Sequence, residues 1–182
     1  MTTSTLTQPS TTWTADLAHS SVEFAVKHLM ISTVKGHFAK FSASVTTDAG
    51  VLTGITAEID PATIGTGIEQ RDVHLRSADF FDVEKFPTMS FVSGEVIVKG
   101  EGEYTVHGTL TMRGESKPVT FLVETEGGEI KDPWGNRRVG ATATGKLSRK
   151  EWGLTWNQAL EFGGMAVSDE VKFTLNIAAT AA

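Results

Sequence analysis

The sequence predicts an all-β protein whose strands pair antiparallel and close into a barrel or sandwich. Two observations carry this. Apolar residues recur at every second position through most of the chain, and Gly, Asp, Asn and Pro clusters separate the alternating runs at short intervals. A third observation marks the exception: Arg71–Pro87, RDVHLRSADFFDVEKFP, combines charge and aromatic bulk without alternation, as a segment that closes or lines something would.

The elements follow in order. Val22, Phe24, Val26 and His28 share one face of a first strand, with Ser21, Glu23, Ala25 and Lys27 on the other. Ala39, Phe41, Ala43 and Val45 mark a second strand, ended by the turn Thr47-Asp48-Ala49-Gly50. Val51, Ile55, Ala57 and Ile59 mark a third, stopped by Asp60-Pro61. Ile64–Phe86 fits short helices, because Val73, Leu75, Phe80, Phe81 and Val83 do not alternate. Met89–Lys99 is strand-like, and Gly100-Glu101-Gly102 turns the chain into Tyr104, Val106, Leu110 and Met112. Arg113-Gly114-Glu115 turns again toward Val119, Phe121 and Val123. After a longer connection around Asp132-Pro133-Trp134-Gly135, Val139, Ala141, Ala143 and Leu147 alternate. Arg149–Leu160 reads as a helix, with Trp152 and Trp156 one turn apart on one face. Val171, Phe173, Leu175 and Ile177 form the closing strand. So many one-faced strands must close on themselves to cover their edges.

Composition narrows the function. A chain of 182 residues with 40% hydrophobic and 21% charged residues suits a single globular domain, here 12–179 behind a polar arm at 1–11. A net charge of -6 argues against nucleic acid, which selects a basic face. With no cysteine there is no disulfide, thiol nucleophile or thiolate metal site. The Thr-rich start has no basic and apolar leader pattern and no run long enough to span a bilayer, so a cytoplasmic location and no stable membrane insertion are expected.

Catalytic motifs fail one by one. Gly140–Leu147, GATATGKL, lacks the Ser or Thr after its lysine and alternates straight through where a phosphate loop would start a helix. The five histidines form no HExxH pair; His28 and His37 could face each other across a hairpin but lack a third ligand. No G-x-S-x-G elbow is present. Arg71, Asp72 and His74 remain as an acid–base cluster or a salt-bridged helix surface. Neither metal nor cofactor is expected.

Asp16–Leu29 (DLAHSSVEFAVKHL), Val34–Phe41 (VKGHFAKF), Arg71–Pro87, Ser90-Phe91, Val106–Met112 (VHGTLTM), Lys117-Pro118-Val119, Arg149–Asn157 (RKEWGLTWN), Gly163-Gly164 and Val167–Val171 (VSDEV) occur in this order. With them the chain resembles the YceI-like family, bacterial lipocalin-like proteins that bind polyisoprenoids, over about Trp13 to Ile177. The resemblance implies an extended, lipocalin-like antiparallel β-barrel of about eight strands with short helices at its mouth. It implies a non-enzymatic binder that stores, transports or buffers a long-chain polyisoprenoid, an isoprenoid quinone or a precursor, and it raises a homodimer by analogy. The expected lumen residues are Phe24, Val26, His28, Phe38, Leu75, Phe80, Phe81, Phe86, Phe91, Val106, Met112, Phe121, Trp152, Trp156 and Phe173. Arg71, His74 and Arg76 are head-group candidates, since arginine offers paired donors to phosphate. The alternatives are an enzyme acting on a prenyl-lipid head group through Asp72 and His74, with Arg71 holding an anion, and a scavenger of other amphiphiles.

Overall fold

A computed structural model describes residues 10–182; residues 1–9, most of the predicted polar arm, lie outside the described residues. In chain order the strands are β1 (Thr11–Ala15), β2 (Ser21–His28), β3 (Ser32–Phe38), β4 (Phe41–Asp48), β5 (Val51–Ile59) and β6 (Ile64–Gly65). After the helix α1 (Glu69–Arg76) come β7 (Met89–Gly100), β8 (Glu103–Met112), β9 (Glu115–Thr125), β10 (Ile130–Lys131), β11 (Arg137–Ser148) and β12 (Val167–Ala181). The sheet order is β10-β11-β9-β8-β7-β5-β4-β1-β12-β2-β3-β6, and β11 also pairs with β12. That last pairing closes β1, β4, β5, β7, β8, β9, β11 and β12 into an antiparallel eight-stranded ring.

β12 holds the ring together because it is long enough to serve two partners on one edge. Its C-terminal end pairs with β1 (Trp13 opposite Ala181), and its N-terminal part pairs with β2 (Phe173 opposite Phe24). β3 and β6 extend β2 into a flap beyond the ring. Tight turns set the register. Ala49 and Gly50, and likewise Arg113 and Gly114, both adopt positive φ, the geometry of two-residue hairpin turns whose twist matches the strands.

The predicted eight-stranded antiparallel barrel is what forms; its short helix α1, expected at the mouth, lies in the β5–β7 connection, at the end opposite the β4–β5 and β7–β8 turns. The chain also inserts β3 before the strand read at Ala39–Val45, which starts at Phe41 as β4. Lys35, Gly36 and His37 interrupt the apolar alternation there, which hides β3 in the sequence. Short β1 carries only Trp13 as a buried anchor. The helix expected over Arg149–Leu160 is reduced to one 3-10 turn, Arg149–Trp152, because Gly153 takes a left-handed conformation (φ 78°) and ends it. Trp152 and Trp156 therefore share no helix face.

One end of the barrel has a dense plug. Trp152, 1% exposed, donates its indole N–H to the Leu110 carbonyl at 2.9 Å. Trp152→Ala removes this packing and the indole hydrogen bond, so a loss of ~3–5 kcal/mol is expected in urea unfolding.

Candidate functional site: the barrel lumen

The interior is a cavity of about 910 Å³ that runs the length of the barrel. On β12 its wall extends from Val167 to Ala179, ~40 Å along the strand at ~3.3 Å per residue and ~30 Å along an axis tilted by about 40°. Volume and length together give a bore of roughly 30 Å², a channel for one hydrocarbon chain. The wall is overwhelmingly aliphatic and aromatic, with Ala43, Ala57, Ala141 and Ala143 leaving it room.

A barrel carrying this many phenylalanines stays hollow because their rings lie across glycines of neighbouring strands. Phe173 faces Gly145 across β12–β11, and Phe24 faces Gly36 across β2–β3. Phe91 of β7 lies over Gly108 of β8, where a Cβ would come within 2.6 Å of the Val92 carbonyl as well as meeting the ring. Phe121 bridges Phe91 and Phe173, with both ring centroids 4.7 Å away at 75° and 78°, the edge-to-face geometry aromatic pairs favour. A belt of rings thus alternates with glycines around part of the wall. Gly145→Ala would set a methyl 2.8 Å from the Thr120 carbonyl and against the Phe173 ring. It is expected to push that ring into the bore and to cost ~1–3 kcal/mol of stability, read by urea unfolding.

Ten of the expected lumen residues are on this wall: Phe24, Val26, Phe38, Leu75, Phe80, Phe81, Phe91, Met112, Phe121 and Phe173. Five are not. His28 ends β2 beside the solvent-exposed β2–β3 turn and is itself exposed. Val106 has no exposed surface, covered in the core with Phe121 as its cross-strand neighbour. Phe86 packs outside the wall near Gly114, with the Lys85 ammonium 5.3 Å from its ring. Trp152 lies in the plug behind the wall, and Trp156 packs edge-to-face with His74 (4.7 Å) and tilted against Phe80 (5.4 Å). His28 and His37 do not meet: they pair with Ser32 and Glu23.

The head-group candidates Arg71, His74 and Arg76 do not line the lumen. Arg71 donates from Nε to Thr66 Oγ1 (2.7 Å) and from Nη2 to the Thr66 carbonyl (2.9 Å). Asp72, 7% exposed, accepts from the Thr66 N–H (2.9 Å) and hydroxyl (2.6 Å). Arg76 pairs with Glu69 at 3.0 Å, and His74 Nε2 meets Asp79 at 2.8 Å. Asp72 and His74 therefore have separate partners. The charges of the segment opening at Arg71 brace α1 and the following turns, while Leu75, Phe80 and Phe81 close this end of the lumen.

The cation that does reach the wall is Arg149, at the same end and 4% exposed. Its guanidinium donates to the carbonyls of Leu154 (2.6 Å), Trp156 (2.9 Å) and Ser168 (2.9 Å), tying the loop after the 3-10 turn to the start of β12. Burial pushes its pKa down, against a weaker pull from Asp169 at 3.9 Å. No alternation or spacing marks this residue in the sequence. The glycines inside β3, β8 and β11 did carry a signal, since glycine within a strand marks a close approach.

At the opposite end the wall is exposed. Ala49, Gly50, Glu101, Gly127, Gly128 and Glu129 rim it, and Gly50, Gly127 and Gly128 have open space on their Cβ side. Beside this rim, Arg138 clamps the chain between Asp16 (2.8 Å) and Asp132 (2.6 Å). Hydrogen bonds from Arg138, and next from His19, lower the Asp16 pKa to about 2; the same guanidinium holds Asp132 well below the usual carboxylate range. A depressed carboxylate contributes stability that is present above its unfolded pKa of ~3.9 and lost as pH falls through the folded value. Wild-type stability should therefore drop from about pH 4 down through about pH 2. In Arg138→Gln that drop should shrink, as followed by urea unfolding at stepped pH.

Among the described residues no helix is long and apolar enough to cross a membrane. No cluster of three or more His, Cys, Asp or Glu there is placed to hold a metal.

Comparison with known proteins agrees with this architecture. A UPF0312 protein of Staphylococcus aureus strain USA300 is 41% identical over 165 residues, covering 90% of this chain and 94% of that protein. One from Staphylococcus epidermidis is 42% identical over 161 residues, covering 87% and 91%. Among solved structures, the Campylobacter jejuni YCEI protein superposes with a TM-score of 0.74 at 29% identity, over 85% of this chain and 88% of that one. Burkholderia cenocepacia BcnA superposes at 0.76 with 24% identity, over 90% and 98%. A domain from Saccharophagus degradans, described as polyisoprenoid-binding and implicated in plant cell wall breakdown, shares the fold at 0.66 with 15% identity, over 93% and 98%. The model of the YceI-like domain matches residues 13–179, and the chain belongs to that family.

Proposed function

We propose that this protein binds one long-chain polyisoprenoid or isoprenoid quinone in its lumen, unchanged, for storage, transport or buffering. The observation that carries the reading is the continuous apolar bore of about 910 Å³. At roughly 30 Å³ per water-sized group it has room for about 30 carbon-sized groups, on the order of six isoprene units. Each buried carbon contributes ~0.8 kcal/mol, and ordering the chain offsets part of that gain. Saturated and branched chains would both be accepted on hydrophobicity alone. The ring belt, which offers π-faces and edges along the bore, favours the branched, unsaturated chain of an isoprenoid. The polyisoprenoid-binding domain of Saccharophagus degradans shares this fold and supports the same ligand class.

A binder, not an enzyme, fits the wall's chemistry. The acid–base pair considered for a head-group enzyme, Asp72 and His74, is divided between Thr66 and Asp79. Arg149, the buried cation on the wall, spends its short hydrogen bonds on backbone carbonyls. Titration of the protein with a prenyl quinone tests the reading: saturable one-to-one binding with a negative heat-capacity change supports it, and no saturable binding refutes it.

A further inference from the structure

We propose that the open mouth of the barrel docks on the surface of an electrically neutral phospholipid bilayer, with Trp134 and Ile130 as its anchors. The proposal rests on the lumen holding a membrane-derived apolar chain, and adds where that chain is exchanged. In an antiparallel barrel alternate connections lie at the same end. The β4–β5 turn, the β7–β8 turn and the β9–β10–β11 connection therefore crown the mouth whose lining is exposed.

That crown carries apolar side chains held out into water. Trp134 is 81% exposed, Ile130 63%, Val98 58% and Val51 43%, and Val98 and Val51 also belong to the lumen wall. The apolar surface of the bore thus runs out of the barrel onto its rim, so a chain leaving a bilayer pressed against the rim need not cross water. Trp134 sits in a hairpin fixed by Asp132, which accepts from the Trp134 and Asn136 N–H groups at 3.0 and 2.8 Å. An exposed indole, with an apolar body and a polar N–H, suits the headgroup boundary of a membrane.

Charge selects the kind of surface. Asp48, Glu101, Glu103 and Glu126 at this end have no ion-pair partner among the described residues, against Lys99 and Lys131. An acidic crown on a chain of net charge -6 repels an anionic surface and also a second copy of itself. The apolar side chains are moreover spread around a hole, whereas a stable protein interface packs a continuous face of ~800 Å² per partner. The opposite end also exposes apolar tips, Ile31 (84%) and Phe162 (97%), but there the lumen is plugged. Those tips supply the control.

The experiment is flotation of the protein with vesicles of phosphatidylcholine, alone or mixed with phosphatidylglycerol, together with tryptophan emission. Trp13 and Trp152 are 2% and 1% exposed and Trp156 is half-buried, so the quenchable signal is chiefly that of Trp134. Expected are flotation with phosphatidylcholine, weaker flotation with phosphatidylglycerol present, and quenching of the emission by brominated phosphatidylcholine. The double variant Trp134→Ser/Ile130→Ser should lose about tenfold or more in partitioning while binding prenyl quinone in vesicle-free solution as the wild type does. Ile31→Ser/Phe162→Ser should float as the wild type does. Absence of flotation, equal flotation of the mouth variant, loss confined to the control variant, or self-association abolished by the mouth variant would each overturn the proposal. Failure to bind prenyl quinone in solution, with flotation intact, would instead remove the ligand reading on which it rests.

Discussion

Ala143→Trp is expected to abolish binding of a long isoprenoid chain while leaving the barrel folded. Ala143 lies on β11 between Val123 and Leu175, all on the lumen wall, where small side chains keep the bore open. An indole there spans a channel of roughly 30 Å² and divides it. Each carbon kept out forfeits ~0.8 kcal/mol, so exclusion of about four carbons already weakens binding by roughly 200-fold. Overpacking a filled core would cost ~1–3 kcal/mol, but here the added bulk enters the open space of the lumen. Urea unfolding close to wild type, with no saturable quinone binding, is the expected pair of results. Wild-type affinity in this variant would place the ligand elsewhere.

Arg149→Met should destabilise the fold about as much as Trp152→Ala. The substitution keeps much of the side chain's apolar stem but removes the donors to Leu154, Trp156 and Ser168. A buried acceptor left dry costs ~1–3 kcal/mol, and with three carbonyls losing their donor at once the sum reaches ~3–5 kcal/mol. A loss in that range is expected by urea unfolding, along with easier access to the plugged end of the lumen. Arg149→Lys should restore little, because a compact ammonium cannot span three divergent carbonyls as a planar fork does. A change within about 1 kcal/mol in the Met variant would show that the loop holds without the arginine.

The barrel was legible in the sequence because its physics is periodic. Alternation announces both conformation and inward side in Tyr104–Met112 and in Ile55, Ala57 and Ile59 of β5, while a register shift before them buries Leu52 in place of Val51, the residue the alternation put inward. Legibility failed where period and burial part company. β3 carries Lys35, Gly36 and His37, and its glycine is there to receive the Phe24 ring, so the residue that weakens the strand pattern is the one the lumen needs. Gly145 repeats the lesson: within GATATGKL it looks like part of a phosphate loop, yet in β11 it makes room for Phe173. Trp152 and Trp156 read as a helix face until Gly153 stops the turn.

The segment Arg71–Pro87 divides between the two outcomes. Of its apolar residues, Leu75, Phe80 and Phe81 lie on the lumen wall, whereas Phe86 packs outside it near Gly114. Its charges are spent locally, and that could not be read from spacing, because the partner of both Arg71 and Asp72 is an unremarkable threonine, Thr66.

The central claim is that the lumen holds a single long isoprenoid chain. Its most direct test is solvent extraction and mass spectrometry of the protein purified without detergent and then loaded with a long-chain prenyl quinone. Wild type should carry one quinone per protein, and Ala143→Trp should carry none. An unloaded wild type, or equal loading of both proteins, would contradict it.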